Sequence, residues 1–276
     1  MLLHLQVYYF HQAQELMAHL FRIILFGFIT LLISTCSSNS EIENHNNTKI
    51  KFKKMLMIGN SFTFYWNLPQ VLEKMFESSG IHIEVFQKTI GGSKLHEHWS
   101  YHMEESYDLE NYEFVVLNDH STYPLLQLDS CAKYIRYFTE AATKRNVKPY
   151  IYGTWEYPYL KKISSQRRSN TMQILDSISE TNDVTYVPVG EAFQYIENSN
   201  SDFDLYMDDN KHPSPNGTYL IACVFYSMIT GNSPIGLPRR FEGENVDGKK
   251  LYYIITETKA AQTAQEIAEI ITKDLR

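Results

Sequence analysis

The chain has 276 residues, 43% of them apolar, which is enough for one sizeable core and points to a single folded domain. Its formal net charge of −7, with no Lys/Arg cluster interleaved with aromatics, excludes the basic field that grips a phosphate backbone, so nucleic acid is not an expected partner. Aromatics make up 14% of the chain, with 20 Tyr against 15 Phe and 3 Trp, a balance suited to stacking on polar, ring-shaped ligands such as sugars.

Residues 1–36 read as an export segment. The apolar run Ile23–Ile33, preceded by His19 and Arg22, is shorter than the roughly 20 residues a bilayer span needs but fits the core of a signal peptide. It ends in Leu32-Ile33-Ser34-Thr35-Cys36, which resembles a bacterial lipobox and implies a lipid on Cys36; Thr35 departs from the usual Gly or Ala. Met17 opens a second, more typical signal start. The expected location is the cell envelope, with the membrane touched only through the N-terminal lipid. Residues 37–50, rich in Ser, Asn and Glu, read as a flexible tether, and residues 51–276 as the folded domain. Cys131 and Cys223 fall at apolar positions of expected helices, where a buried free thiol is the common state, although an oxidising compartment leaves a bridge open.

From Lys51 onward short apolar runs alternate with amphipathic stretches. Expected strands are Lys54–Gly59, His82–Lys88, Glu113–Asn118, Pro149–Thr154 and Thr185–Val189. Expected helices are Leu68–Ser79, Lys94–Glu105, Leu126–Arg145, Ser165–Glu180 and Glu191–Glu197, followed by a loop at Asp202–Lys211 and helices at Pro215–Thr230 and Lys259–Lys273. The alternation predicts a three-layer α/β/α sandwich around a five-stranded parallel, flavodoxin-like sheet. In such open sheets ligands bind beyond the carboxyl ends of the strands, so the residues just after each strand carry the functional signal.

Strand one ends in Gly59-Asn60-Ser61-Phe62-Thr63, with a Ser just past a Gly where the chain turns out of the sheet. A serine hydroxyl needs a base to take its proton and a third group to hold that base in the right tautomer. Both are present at Asp209-Asn210-Lys211-His212-Pro213, ahead of a helix that Ser214 can cap and Pro215 can open. The spacing lets the Asp209 carboxylate reach Nδ1 of His212 and leaves Nε2 for Ser61. Asp208 is the alternative carboxylate, and helix capping is the plain role for Ser61.

These blocks resemble those of the SGNH/GDSL hydrolases. Gly59-Asn60-Ser61 is similar to their nucleophile block with Asn in place of Asp, and Asp209-x-x-His212-Pro213 to their last block. The resemblance implies a serine esterase with Ser61 as nucleophile, His212 as base and Asp209 as its partner. It also implies an oxyanion hole from the backbone N–H groups of Ser61 and Gly92, with Gly91 in reserve, and the side chain of Asn118. The family's third block is usually Gly-x-Asn-Asp; here Asn118-Asp119-His120-Ser121 follows the strand directly. His120 is open to either a turn-forming or a functional role. The lipase-type Gly-x-Ser-x-Gly elbow is absent around Ser61 and Ser93.

His98 and His102 stand four apart on an expected helix and would share a face. The His-Glu-x-x-His order is not met and a third ligand is missing, so packing histidines are expected and no metal. No organic cofactor is expected either. The aromatics Tyr65, Trp66, Trp155, Tyr157 and Tyr159 flank the same strand ends, with packing their expected role. The expected substrate is a small-molecule or glycan ester, foremost an O-acetylated carbohydrate such as acetyl-xylan or pectin. Alternatives are a lysophospholipase or thioesterase on the same residues, and a non-catalytic carbohydrate-binding surface lipoprotein.

Overall fold

The apolar run Met55–Ile58 has no exposed side chain, and a strand buried on both faces belongs in the middle of a parallel sheet. It forms β1 (Lys53–Gly59), hydrogen-bonded in parallel to β2 (Ile83–Thr89) on one side and β3 (Phe114–Leu117) on the other. β4 (Lys148–Tyr152) and β5 (Thr185–Val187) extend the sheet in the order β2-β1-β3-β4-β5. This is the flavodoxin-like order, in which the chain changes direction of winding at β1 and opens a crevice between the carboxyl ends of β1 and β3. The computed structural model describes residues 53–102, 107–167, 169–199 and 202–276. The expected export segment, Cys36 and the expected tether lie outside the described residues.

Helices cover both faces. One core cluster joins the sheet to α2 (Leu68–Ser78), α8 (Val189–Asn198), α9 (Pro215–Thr230) and α10 (Thr258–Thr272). The other joins it to α3 (Leu95–His102), α5 (Leu128–Thr143) and α7 (Thr171–Asn182). The short helices are α1 (Ser61–Phe64), α4 (Tyr123–Leu126) and α6 (Pro158–Ser164). Every residue of α9 from Gly217 to Ser227 is buried, as expected of a helix that is apolar all round. It starts where Ser214 Oγ accepts from Gly217 N at 3.0 Å and stops at Gly231 in a left-handed conformation (φ 74°). No helix among the described residues is long and apolar enough to cross a membrane. Cys131 and Cys223 are both free and buried, one in each cluster; the sheet stands between them.

Three differences from the expected elements have local causes. The helix expected at Leu126–Arg145 starts only at Leu128, because Gln127 (φ −140°, ψ 48°) leaves the helical region and separates α5 from α4, which ends at Leu126. The stretch 165–180 begins as helix only at Thr171, where Asn170 and Gln173 form a reciprocal capping box; Pro158 opens a separate α6 before it. The segment after α9 contains an antiparallel hairpin, β6 (Arg240–Glu244) and β7 (Lys250–Ile255). Its turn is made by Asn245 Oδ1, which accepts from the N–H of Asp247 and of Lys249, and by Gly248 at φ 72°.

At the sheet edge Tyr186 Oη donates to both oxygens of Glu191 at 3.0 Å. Burial pushes the Glu191 carboxyl up from 4.5 to about 6, ahead of the hydrogen bonds that oppose it. The folded chain therefore holds this proton more tightly than the unfolded chain, and stability falls as pH rises through that window, by at most about 2 kcal/mol. Glu191→Gln keeps an acceptor for Tyr186 and has no charge to bury. Its melting temperature relative to wild type is expected to rise by several degrees between pH 4 and pH 8. A difference that stays flat across that range, followed by circular dichroism, would refute the assignment.

Candidate active site

Gly59 ends β1 with no room for a side chain: a Cβ there would lie 2.5 Å from Thr63 Oγ1 and 2.7 Å from Asn118 Cβ. The chain then turns at Asn60, whose Oδ1 accepts from Phe62 N at 3.1 Å and caps α1. Asn60 is buried, and its Nδ2 donates to the carbonyls of Asp119 at 3.0 Å and Ser93 at 3.4 Å. One side chain thus ties together the loops that follow β1, β2 and β3. A carboxylate in its place could not donate to either carbonyl.

Ser61 is the first residue of α1, and its Oγ lies 2.8 Å from His212 Nε2. His212 Nδ1 lies 2.5 Å from Asp209 Oδ2, while Asp209 Oδ1 accepts from the backbone N–H of Lys211 at 3.0 Å and of His212 at 2.9 Å. The carboxylate at His212 is therefore that of Asp209, not Asp208. Partial burial works to raise the Asp209 pKa, but the hydrogen bonds from the His212 ring and from the two N–H groups outweigh it and hold the carboxyl below its ordinary value. Hydroxyl, imidazole and carboxylate stand in one hydrogen-bonded line, the arrangement in which a serine can be deprotonated.

The imidazole is held on every side. Tyr65 stacks on it face to face, with centroids 4.2 Å apart and planes 7° from parallel, and Phe62 meets it edge-on at 5.6 Å. Trp155 Nε1 donates to the carbonyl of Lys211 at 3.1 Å and Trp66 Nε1 to the carbonyl of Pro213 at 3.0 Å, so two indoles clamp the backbone on either side of His212. Trp155 is itself stacked between Phe62 and Phe193 at 4.3 and 4.1 Å. Trp66 and Asn67 both have left-handed backbones (φ 49° and 57°), a strained conformation for non-glycine residues that persists only where the surroundings fix it. Asn67 Nδ2 is fixed by a hydrogen bond to the carbonyl of Tyr253 in β7.

Gly92 sits in the turn closed by the Ser93 N–H to the Ile90 carbonyl, with φ 71°, whereas Gly91 has no left-handed backbone. Among the described residues the N–H groups of Ser61 and Gly92 have no hydrogen-bond partner. Asn118 is placed differently from the expectation. Its side chain lies beneath Gly59, with Oδ1 accepting from Thr63 Oγ1 at 3.1 Å, and its Nδ2 is closed off from solvent without a partner. Strand β3 ends at Leu117, and the Asn118 side chain directly after it packs under the nucleophile turn, its amide nitrogen closed to solvent.

His98 is buried, its Nε2 2.9 Å from the Gly59 carbonyl and 2.8 Å from Ser93 Oγ, its Nδ1 2.8 Å from Tyr107 Oη. It braces the turn below Ser61. The side chain of His102 lies outside the described residues. The aromatic cage was legible only as rings next to motif residues; nothing in the spacing distinguished clamps on His212 from general packing.

No family model matches the chain, and no curated protein sequence matches it. Solved structures do. A protein from Slackia heliotrinireducens classed with the SGNH hydrolases is 26% identical, with TM-score 0.53, over 64% of this chain and 98% of its own. A DUF4886 family protein from Bacteroides uniformis is 17% identical, with TM-score 0.60, over 81% of this chain and 96% of its own. A variant of an acetyl-xylooligosaccharide esterase from Geobacillus stearmophilus is 16% identical, with TM-score 0.51, over 67% and 95%.

Proposed function

We propose that this chain, a hydrolase of the SGNH/GDSL type, is a serine esterase that removes acetyl groups from carbohydrates. The observation that carries the reading is the hydrogen-bonded line Ser61–His212–Asp209 at the carboxyl edge of the sheet. In this mechanism His212 takes the Ser61 proton as Oγ attacks the ester carbonyl, and Asp209 keeps the imidazole in the Nδ1–H tautomer and stabilises it once protonated. The backbone N–H groups of Ser61 and Gly92, free of other partners, receive the developing oxyanion. His212 then returns the proton to the departing alcohol, and water hydrolyses the acyl-enzyme by the same steps.

For the substrate, the support is a rim of rings. Trp66 is 39% and Tyr159 55% exposed, and Tyr159 stacks on Tyr157, whose ring lies under Lys211 Nζ at 5.2 Å. Exposed ring faces beside a polar site suit sugars better than acyl chains. The acetyl-xylooligosaccharide esterase of the same fold acts on such a substrate. The test compares acetate release from acetylated xylo-oligosaccharides with hydrolysis of p-nitrophenyl acetate, butyrate and palmitate. Acetyl esters are expected to be cleaved fastest, with the sugar raising kcat/KM over the p-nitrophenyl ester. Faster cleavage of palmitate would replace this reading with a lysophospholipase or thioesterase. No turnover, with retention on immobilised glycan, would make it a binding protein.

A further inference from the structure

We propose that His120 is a catalytic residue that donates its Nε2–H to the substrate's carbonyl oxygen, the role expected of Asn118. The inference rests on the esterase reading above. An oxyanion hole needs a donor that the substrate can touch, and Asn118 Nδ2 is sealed beneath Gly59. His120 is the next side-chain donor on the same loop, and it is partly exposed.

Its position is set from several directions. The preceding carbonyl, that of Asp119, accepts from Asn60 Nδ2 beside the nucleophile. Asp119 Oδ1 accepts from the N–H of Leu95 at 2.9 Å and of His120 at 2.7 Å, which draws the loop against the turn carrying Gly92. Ser121 Oγ lies 3.4 Å from Tyr157 Oη, under Lys211. His120 is thereby bracketed by the nucleophile turn, the Gly92 turn and the residue before His212.

The tautomer follows from the hydrogen bonds. Thr122 N donates to His120 Nδ1 at 3.4 Å, and Thr122 Oγ1 lies 2.8 Å from the same nitrogen. An Nδ1 that accepts carries no proton, so in the neutral ring the proton is on Nε2, and no group among the described residues takes it up. Burial lowers the His120 pKa, the positive charges of Lys211 and Lys94 lower it further, and Glu97 opposes them. A neutral imidazole gives a hydrogen bond without surrendering its proton, which is what separates this ring from the general base His212.

The test is steady-state kinetics of wild type, Ser61→Ala, His120→Ala and His120→Gln on p-nitrophenyl acetate, with thermal melts of each. His120→Ala is expected to lose about 10²–10³-fold in kcat with KM changed less than about threefold, because the bond strengthens only in the transition state. His120→Gln, which restores an N–H donor on a side chain of similar reach, is expected to recover at least tenfold of that loss. The pH at which kcat/KM falls on the acid side should stay where wild type has it. If wild type turns over in a Ser61-dependent way and His120→Ala matches it, or Gln rescues nothing in a folded variant, this inference falls alone. If wild type is as inert as Ser61→Ala, the esterase reading fails and takes this inference with it.

Discussion

Ser61→Ala and His212→Ala are each expected to reduce kcat on acetyl esters by on the order of 10⁶-fold, and the double variant by no more than either one. The two groups act as a unit: without His212 the Ser61 proton has nowhere to go, and without Ser61 the base has no nucleophile to activate. Asp209→Asn should cost less, about 10⁴-fold. The Asn amide would donate toward Nδ1 and favour the wrong tautomer, but the Tyr65 face and the two indole clamps would still hold the ring. The residual rate common to all of these belongs to the oxyanion donors. Pre-steady-state kinetics on p-nitrophenyl acetate check this. A double variant that loses the product of the single losses would show that Ser61 and His212 work independently and would remove the relay.

The second large effect is on stability. Asn60→Asp would bring in the residue type of the SGNH/GDSL nucleophile block that Gly59-Asn60-Ser61 resembles, yet here it is expected to destabilise the fold by about 3–5 kcal/mol at neutral pH, the range for an uncompensated buried charge. Asn60 Nδ2 serves the carbonyls of Asp119 and Ser93, and a carboxylate would set an anion against both with no donor between them. The variant carboxyl would be protonated more readily in the folded than in the unfolded chain. Its raised folded pKa means that the deficit is smallest below the ordinary Asp range and grows as pH rises through the folded value. Urea unfolding at pH 4 and pH 8 measures this. A variant as stable as wild type at pH 8 would mean that the three loops do not depend on the Asn60 amide.

Much of the architecture was legible because it rests on local and periodic signals. The apolar block Met55–Ile58 announced a central strand, and Ser214-Pro215 with Gly231 bounded α9 as capping chemistry requires. Where a boundary was misplaced, a competing local signal was at work, as at the Asn170–Gln173 capping box. The hairpin β6–β7 has no counterpart among the expected elements although its Asp247-Gly248 turn stands between two apolar-containing stretches; β7 has its large side chains mostly exposed, so no clean alternation marks it.

The site divides in the same way. Ser61, Asp209 and His212 stood out because a hydroxyl, an imidazole and a carboxylate fall in the order of the motifs they resemble, and the chain's own spacing ties Asp209 to His212. The inward turn of Asn118 and the exposure of His120 were not readable, since both residues follow one strand and differ only in which way the loop faces as it leaves the sheet. That facing is set by Asn60 and Asp119 across loops distant in sequence. The sequence by itself determined the order of elements, the sheet that this order demands and the residue types of the proposed Ser61–His212–Asp209 relay. Tertiary structure alone decided that Asn118 turns inward while His120 stays partly exposed and which rings hold His212, because those depend on contacts between strand ends that no local pattern encodes.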